Sequence, residues 1–373
     1  MAALPGEHLF TPMMSWTTAT TPVLEQHRFD EAALERFMIA NVEGFVAPLR
    51  VGQVRGGMSN PTFIMSSGNG NRYVLRKKPP GVLLPSAHAV DREFRVISAL
   101  WETDVPVAKP YVLCQDPDVI GVDFYIMGFA EGRVFRHLEL PALTPPERRD
   151  IYEAMVDVMA KLHQVDFSAV GLEGYGRVGG YLTRQLRRWT QQYQAAQTET
   201  IEAMDNLIAW LPDQLPEEDE TTIVHGDFRL ENMIFHPAEP RVLAMVDWEL
   251  STLGSPLTDL AYNCLPYYFY DDQRGSLENL DDANDGIPSE DEYVSWYCEK
   301  TGRDAIPNWK FYVVFSLWRL AAIVQGVYKR GLDGNASSPE AITRGEQVKQ
   351  LATAAWALVE KGAARSRRVS GAS

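Results

Sequence analysis

Two short apolar segments in the second half of the chain each end in a cluster of polar side chains. Thr221–Val224 precedes the sequence HGDFRLEN, which spans residues 225–232, and Val242–Val246 precedes DWE at 247–249. Both segments interrupt a region of mostly helical periodicity and are predicted to be strands. Side chains at the end of a buried strand are held rigidly and exposed at an edge. The sequence therefore concentrates its candidate chemistry at these two places.

The polar clusters supply the parts that phosphoryl transfer from ATP needs. That reaction uses a carboxylate to orient or deprotonate the attacking hydroxyl, oxygen ligands for Mg²⁺, and a cation near the phosphoryl group. Asp227 is the candidate base, Arg229 the candidate cation, and Asn232 and Asp247 the candidate metal ligands. The alternative is a capped turn with solvated polar residues. His225 is expected to brace the loop, and Asp259 to cap a helix or support the same loop.

The order of these residues resembles the catalytic loop of protein kinases. It is closer still to the aminoglycoside phosphotransferase-like kinases, whose motif begins His-Gly-Asp as residues 225–227 do. The resemblance implies an α+β, protein kinase-like bilobal fold, with a small β-rich N-lobe and a larger helical C-lobe containing inserted helices. The implied parts are an N-terminal extension (1–25), the N-lobe (26–128), the C-lobe (129–365) and a tail (366–373). ATP would lie between the lobes.

The same resemblance implies nucleotide-binding positions in the first lobe. Strand-like runs and turn residues such as Gly68–Asn71 predict a hairpin sheet there. Alternation along a strand at 73–76 puts Val74 and Arg76 on one face and Lys77 on the other, with Arg76 standing where related kinases commonly have Lys. The positions predicted to bind nucleotide are Gly56, Gly57, Ser59 and Asn60 in a phosphate-covering loop, Val74 and Arg76, the ion-pair partner Glu93, and Met127 and Phe129 at the adenine hinge.

Two spacings favour a kinase of small molecules over a protein kinase. Between His163 and His225 there is room for two additional helices, and the short interval from Asp247 to Asp259 leaves no space for a peptide-holding activation segment. Both features are typical of the aminoglycoside and choline type.

The segments HGDFRLENMIFHPAEPRVLAMVDWELSTLGSPLTDLAY and WRLAAIVQGVYKRGLDGNASS narrow the resemblance further. They are similar to the kinase domain joined to acyl-CoA dehydrogenases in family members ten and eleven. That similarity implies phosphorylation of the hydroxyl of a 4-hydroxyacyl-CoA or related hydroxy acid derivative, and a functional link to an acyl-CoA dehydrogenase. The alternatives are an aminoglycoside or choline-type kinase and, because Arg76 replaces Lys, a nucleotide-binding regulator without turnover.

Charge and composition limit the other possibilities. The net charge of −15 argues against a nucleic-acid partner. The acidity is concentrated at 211–222 and 271–292, whereas 50–95 carries an excess of basic residues. Three widely separated cysteines favour a reducing compartment. The apolar run Phe311–Tyr328 contains Arg319 and Gln325, which predicts a buried core helix, no membrane span, and a cytoplasmic protein.

Overall fold

The computed structural model falls into two compact units, each assembled from separate segments of the chain. It describes residues 20–54, 60–79, 89–217, 220–271, 274–278, 285–336 and 339–370, with side chains up to 361. Among the described residues, unit one takes those within 1–136, 140–175 and 229–251, and unit two takes those within 137–139, 176–228 and 252–373. The sequence-based lobe boundary at residue 128 stays a prediction.

Unit one contains a six-stranded sheet and a two-stranded hairpin. The strands are β1 (Thr20–Thr21), β2 (Arg50–Val54), β3 (Thr62–Ser66), β4 (Arg72–Lys77), β5 (Pro110–Cys114), β6 (Phe124–Gly128), β8 (Met233–Phe235) and β9 (Val242–Met245). The sheet has the order β1-β2-β3-β4-β6-β5, with every neighbouring pair antiparallel, and β8 and β9 form the hairpin. The helices are α1 (Glu31–Asn41), α2 (Val90–Leu100), α3 (Pro117–Ile120) and α4 (Pro145–Gln164).

The alternation of β4 gives its two faces different tasks. Tyr73 and Leu75 are buried in an apolar cluster with Leu34 and Met38 of α1 and Phe63 of β3. Full burial of a side chain of this size contributes about 1.5–3 kcal/mol to stability. The opposite face of β4 carries the residues at 74 and 76, as the alternation predicts. This leaves one face of the strand free for polar chemistry.

Helix α1 is shorter than the sequence suggests. Its periodicity predicts a helix from Glu31 to Val46, but the helix ends at Asn41, with Val42 as the extended C-terminal cap residue. Gly44 has φ of 75°, a left-handed conformation that glycine adopts readily and that an α-helix cannot contain. The chain therefore leaves the helix before Val46.

Gly132, just beyond β6, approaches the β8-β9 hairpin closely. A Cβ atom added there would lie 2.1 Å from the backbone oxygen of Phe235, and Arg133 forms an isolated β-bridge with that residue. We expect Gly132→Ala to lower stability by about 1–3 kcal/mol, because a backbone atom must move to make room. Urea unfolding measures the change. Gly128→Ala is the matched control, since its added Cβ would meet nothing closer than 3.6 Å; equal midpoints for the two variants would contradict the prediction.

Unit two is mostly helical. Its short ladder pairs β7 (Thr222–Val224) with β10 (Thr252–Gly254) in antiparallel register. The helices are α5 (Tyr181–Ala196), α6 (Glu202–Trp210), α7 (Pro256–Asn263), α8 (Glu290–Thr301), α9 (Trp309–Leu332) and α10 (Gly345–Ser370).

Helix α9 is long and apolar enough to cross a membrane, yet 72% of its most apolar window is buried inside the structure. Its two interior polar residues are also buried: Arg319 is 7% exposed and Gln325 is 2% exposed. Gln325 donates from Nε2 to the backbone oxygen of Ala196 over 2.8 Å. The helix is thus packed as a core helix, as the sequence predicts.

Candidate active site

The β8-β9 hairpin of unit one places the two candidate metal ligands next to each other. Asn232 is the last residue of a 3₁₀ turn and directly precedes β8. Asp247 comes two residues after the end of β9. Because Met233 is paired with Met245, the residues just outside the hairpin also meet, and the Val246 N–H donates to the Asn232 backbone oxygen over 2.9 Å. Asp247 has φ of 69°, a conformation that is uncommon for residues other than glycine and often found at functional sites.

Arg76 connects two carboxylates of unit one. Its Nη1 lies 3.0 Å from Oε2 of Glu93, and its Nη2 lies 3.3 Å from Oδ1 of Asp247. The predicted ion pair between Arg76 and Glu93 is therefore present. Asp247 is more accessible than Glu93, with 37% of its side chain exposed against 1%. The cation thus reaches from the interior of the sheet to a carboxylate at its surface.

Glu93 is the one carboxylate on the buried stripe of α2, among Val90, Val96, Ile97 and Leu100. The Tyr125 hydroxyl donates to its Oε2 over 2.9 Å, and the Asn60 amide donates to its Oε1 over 2.6 Å. Burial raises the pKa of Glu93, while Arg76 and these two hydrogen bonds oppose that rise. Asn60 was predicted to contact nucleotide; its side chain is 1% exposed and here holds Glu93.

The basic pair at 76 and 77 points to opposite faces of β4, as predicted. Lys77 Nζ lies 6.0 Å from the centre of the Phe63 ring on the core side, and burial lowers the Lys77 pKa. Burial alone would also lower the pKa of Arg76, but Tyr125, Glu93 and Asp247 raise it overall. Arg76, rather than Lys77, is the cation that stands beside Glu93 and Asp247.

The predicted adenine-side residues adjoin one another in the sheet. Val74 pairs directly with Met127 across β4 and β6. The Phe129 ring lies under the guanidinium group of Arg72 at 4.3 Å, and the Phe129 N–H donates to the Arg72 backbone oxygen over 3.4 Å. Gly56, Gly57 and Ser59, predicted to cover the phosphates, lie outside the described residues.

In unit two, residues 225–228 form a loop held by Asp259, the fourth residue of α7. Asp259 accepts the His225 N–H at 2.6 Å and the Gly226 N–H at 2.9 Å. Gly226 has φ of 82°, which glycine tolerates far better than other residues. His225 is fully buried, in agreement with its predicted bracing role. These contacts present Asp227 at a fixed place on the loop.

Three residues around this loop were not predicted as functional. Tyr262 donates from its hydroxyl to Oδ1 of Asp227 over 3.0 Å, Asn263 donates to the Phe228 backbone oxygen over 3.2 Å, and Arg319 donates to the Gly226 backbone oxygen over 3.2 Å. The positions 259, 262 and 263 share one face of a helix, a spacing that could have indicated Tyr262 and Asn263. Arg319 was visible as a charge within an apolar run.

The candidate cation Arg229 belongs to unit one, where it precedes the turn Leu230–Asn232. Its Nε lies 3.6 Å from Oε2 of Glu231, and 29% of its side chain is exposed. Its role near the phosphates stays a prediction.

The donor set at the hairpin suits magnesium. Mg²⁺ prefers oxygen ligands and is commonly bound through one or two carboxylates together with substrate phosphates. Asp247 offers a carboxylate and Asn232 an amide oxygen, and within the described ranges no group of three or more His, Cys, Asp or Glu could hold a metal ion by itself. Among the described residues, the buried Nε of Arg76 has no hydrogen-bond partner, so a donor also remains available there for a phosphate oxygen.

The antiparallel sheet carries the Arg76–Glu93 ion pair. Further along the chain come the HGD loop at 225–227 and then Asp247, which follows the β8-β9 hairpin. This combination is that of a kinase-like phosphotransferase. The chain belongs to the phosphotransferase enzyme family, whose APH model matches residues 50–293. The predicted family and the predicted α+β protein kinase-like fold of the APH and choline kinase type are thereby confirmed.

Several known proteins are similar to this chain. Human acyl-CoA dehydrogenase family member 11 is 46% identical over 88% of the chain, and mouse family member 10 is 44% identical over 92%. The chain spans less than half of those relatives, 43% and 32% of their lengths. A crystal structure from Ralstonia eutropha, classed with the aminoglycoside phosphotransferases, is 48% identical with a TM-score of 0.83, covering 90% of this chain and 99% of that one.

More distant structures share the fold alone. The aminoglycoside phosphotransferase APH(4)-Ia in complex with AMP-PNP and hygromycin B has a TM-score of 0.56 at 18% identity, covering 87% of this chain and 98% of that one. Choline kinase from Cryptosporidium parvum has a TM-score of 0.60 at 14% identity, covering 89% and 97%.

Proposed function

We propose that the chain transfers the terminal phosphate of ATP to the hydroxyl group of a 4-hydroxyacyl-CoA or a related hydroxy acid derivative. The observation that carries the use of a nucleotide is the chain of contacts from Glu93 through Arg76 to Asp247. These contacts place Arg76, whose guanidinium group is always charged, beside Asp247, which is a candidate metal ligand. The acceptor class is supported by the identity of about 45% to acyl-CoA dehydrogenase family members 10 and 11.

In the proposed reaction the acceptor oxygen forms a bond to the γ-phosphorus as the bond from that phosphorus to ADP breaks. Asp227 orients the acceptor hydroxyl and takes up its proton. Asn232 and Asp247 would hold Mg²⁺, which when bound offsets negative charge on the phosphates. Arg76, aimed by Glu93, adds a fixed positive charge, and Arg229 supplies a second.

The aromatic lining of a groove in unit two suits a second candidate, a cationic alcohol of the aminoglycoside or choline type, although the charged lining fits either acceptor. The groove has a volume of about 1020 Å³ and is lined by the aromatic run at 267–270, which could bind a cation through its ring faces. Its charged lining residues are of both signs: Asp271, Glu278, Glu340 and Glu346, with Arg344, Lys349 and Lys361. The carboxylates suit a cationic acceptor, and the three basic residues suit the phosphates of CoA.

ADP release measured over a panel of acceptors tests the proposal. The panel contains 4-hydroxyacyl-CoA thioesters, the free hydroxy acids, an aminoglycoside and choline, each with Mg²⁺ and with EDTA. We expect release with the hydroxyacyl-CoA thioesters in the presence of Mg²⁺ and a loss of release with EDTA. Turnover with choline or the aminoglycoside alone would show that the acceptor is a cationic alcohol and that the proposed hydroxyacyl-CoA is wrong. Tight ATP binding without release for any acceptor would indicate a regulator instead, and a functional link to an acyl-CoA dehydrogenase would then lose its basis.

A further inference from the structure

One face of helix α7 contacts four consecutive residues of the loop that carries Asp227. Asp259 accepts from the N–H groups of residues 225 and 226, Tyr262 contacts the side chain of Asp227, and Asn263 contacts the carbonyl of residue 228. The helix positions 259, 262 and 263 are spaced three and four residues apart, so they lie on the same side. Of these contacts, the one from Tyr262 is made to the candidate base itself.

The Tyr262 contact has the chemistry of an orienting hydrogen bond. Its hydroxyl donates to Oδ1 of Asp227 over 3.0 Å, at the long end of the usual range for an O–H···O bond. A donor on one carboxylate oxygen restricts rotation of the group, and a general base must be held within reach of the proton that it takes up.

Arg319 of α9 holds Tyr262 and the loop together. Its guanidinium carbon lies 5.6 Å from the centre of the Tyr262 ring, within the range of a cation–π contact. Its Nη2 donates to the Gly226 backbone oxygen over 3.2 Å. Because Arg319 is 7% exposed, it provides a rigid support for both the ring and the peptide that precedes Asp227.

We infer that Tyr262 is a positioning residue that fixes the orientation of the Asp227 carboxylate during phosphoryl transfer. This inference rests on the proposed function, in which Asp227 is the base. Among the described residues, the charged or titratable groups that face the loop include Asp259 from α7, Arg319 from α9, His225 within the loop, and Tyr181 from α5, whose hydroxyl interacts with Arg319 and Asp259.

Tyr262→Phe removes the hydroxyl and keeps the ring over Arg319. With a 4-hydroxyacyl-CoA as acceptor, we expect kcat to fall about 10- to 100-fold with little change in the KM for ATP, because a misplaced catalytic group slows chemistry more than binding. A merely structural role for Tyr262 would raise KM or lower the urea midpoint as well, and would not confine the loss to kcat.

Tyr293→Phe is the matched control. The Tyr293 hydroxyl donates to Oδ1 of Asn263 over 2.6 Å, so this variant removes a tyrosine hydroxyl that supports the same loop one contact further away. We expect its kcat to stay near the wild-type value. An equal fall of kcat in the two variants, or an unchanged kcat in Tyr262→Phe, would overturn the inference.

A second measurement does not depend on turnover. In protein labelled with ¹³C at the aspartate carboxyl carbons, the Asp227 signal is assigned by its loss in Asp227→Asn, and its chemical shift at one fixed pH is compared among the wild type, Tyr262→Phe and Tyr293→Phe. A displaced signal in Tyr262→Phe alone is expected, and an unmoved signal in that variant overturns the inference. If Asp227→Ala keeps full turnover, the proposed base is wrong; if Asp227→Ala is inactive and the signal is unmoved in Tyr262→Phe, the positioning role alone is wrong.

Discussion

Replacing Asp227 by alanine is expected to reduce turnover by about two to four orders of magnitude, the usual contribution of a general base. Affinity for ATP should stay unchanged, because the proposed nucleotide and metal ligands Arg76, Asn232 and Asp247 keep their contacts within unit one. Turnover is measured as ADP release with a 4-hydroxyacyl-CoA, and affinity by calorimetry with a non-hydrolysable ATP analogue.

Asp304→Ala provides the matched control, since Asp304 is an exposed carboxylate of the same unit. We expect this variant to keep wild-type turnover. Wild-type turnover in Asp227→Ala as well would show that another group takes up the acceptor proton. A large loss of ATP affinity in Asp227→Ala would show that Asp227 binds nucleotide rather than acting on the acceptor.

Replacing Arg76 by methionine is expected to lower the free energy of unfolding by about 3–5 kcal/mol, the cost of leaving the charge of a buried ion-pair partner uncompensated. That partner is Glu93, whose side chain is only 1% exposed. Urea unfolding followed by circular dichroism measures the change. The double variant Arg76→Met with Glu93→Gln removes both charges. The Gln oxygen can still accept from Asn60 while its NH2 group donates to the Tyr125 hydroxyl, so most of the lost stability should return.

Activity measurements separate the effect of the Arg76–Glu93 pair on stability from its effect on catalysis. Both the single and the double variant should be inactive in ADP release, because neither keeps the cation beside Asp247. If the single variant were destabilised by less than about 1 kcal/mol, the pair would behave as an exposed salt bridge, and the buried ion pair could not be what fixes Arg76. If the double variant kept turnover, Arg76 would have no role at the phosphates.

Long or strongly alternating elements follow the sequence closely. The run of β-branched and apolar residues Thr62–Ser66 predicts a strand, and β3 has those bounds. The apolar stripe along residues 146–165 predicts a helix, and both ends of α4 lie within one residue of that range. The strands at 233–235 and 252–254 were not predicted. Each has three residues, which is too short for a period of two to be visible, and each forms because a partner strand lies beside it.

In the candidate site as well, contacts that arise from local patterns could be predicted, and contacts that depend on the tertiary structure could not. The Arg76–Glu93 pair follows from alternation along a strand and from a lone acid on an apolar helix face, both of which are local patterns. The contact of Tyr125 with Glu93 depends on the register that sets Arg76 opposite Tyr125, and register is not contained in either segment alone. The contact of Arg319 with the Gly226 carbonyl joins residues far apart in the chain, and no local pattern indicates which groove of the fold the helix occupies.

The order in which the chain builds its two units limits how such a domain can be inherited. The chain passes between the units at residues 136, 139, 175, 228 and 251, and the fourth passage falls between Asp227 and Asn232. Any single break between residues 137 and 251 would therefore leave both units short of a segment. Exchanging one unit for its counterpart from a related chain would therefore need more than one crossover. A transfer of the whole domain as one block avoids that requirement.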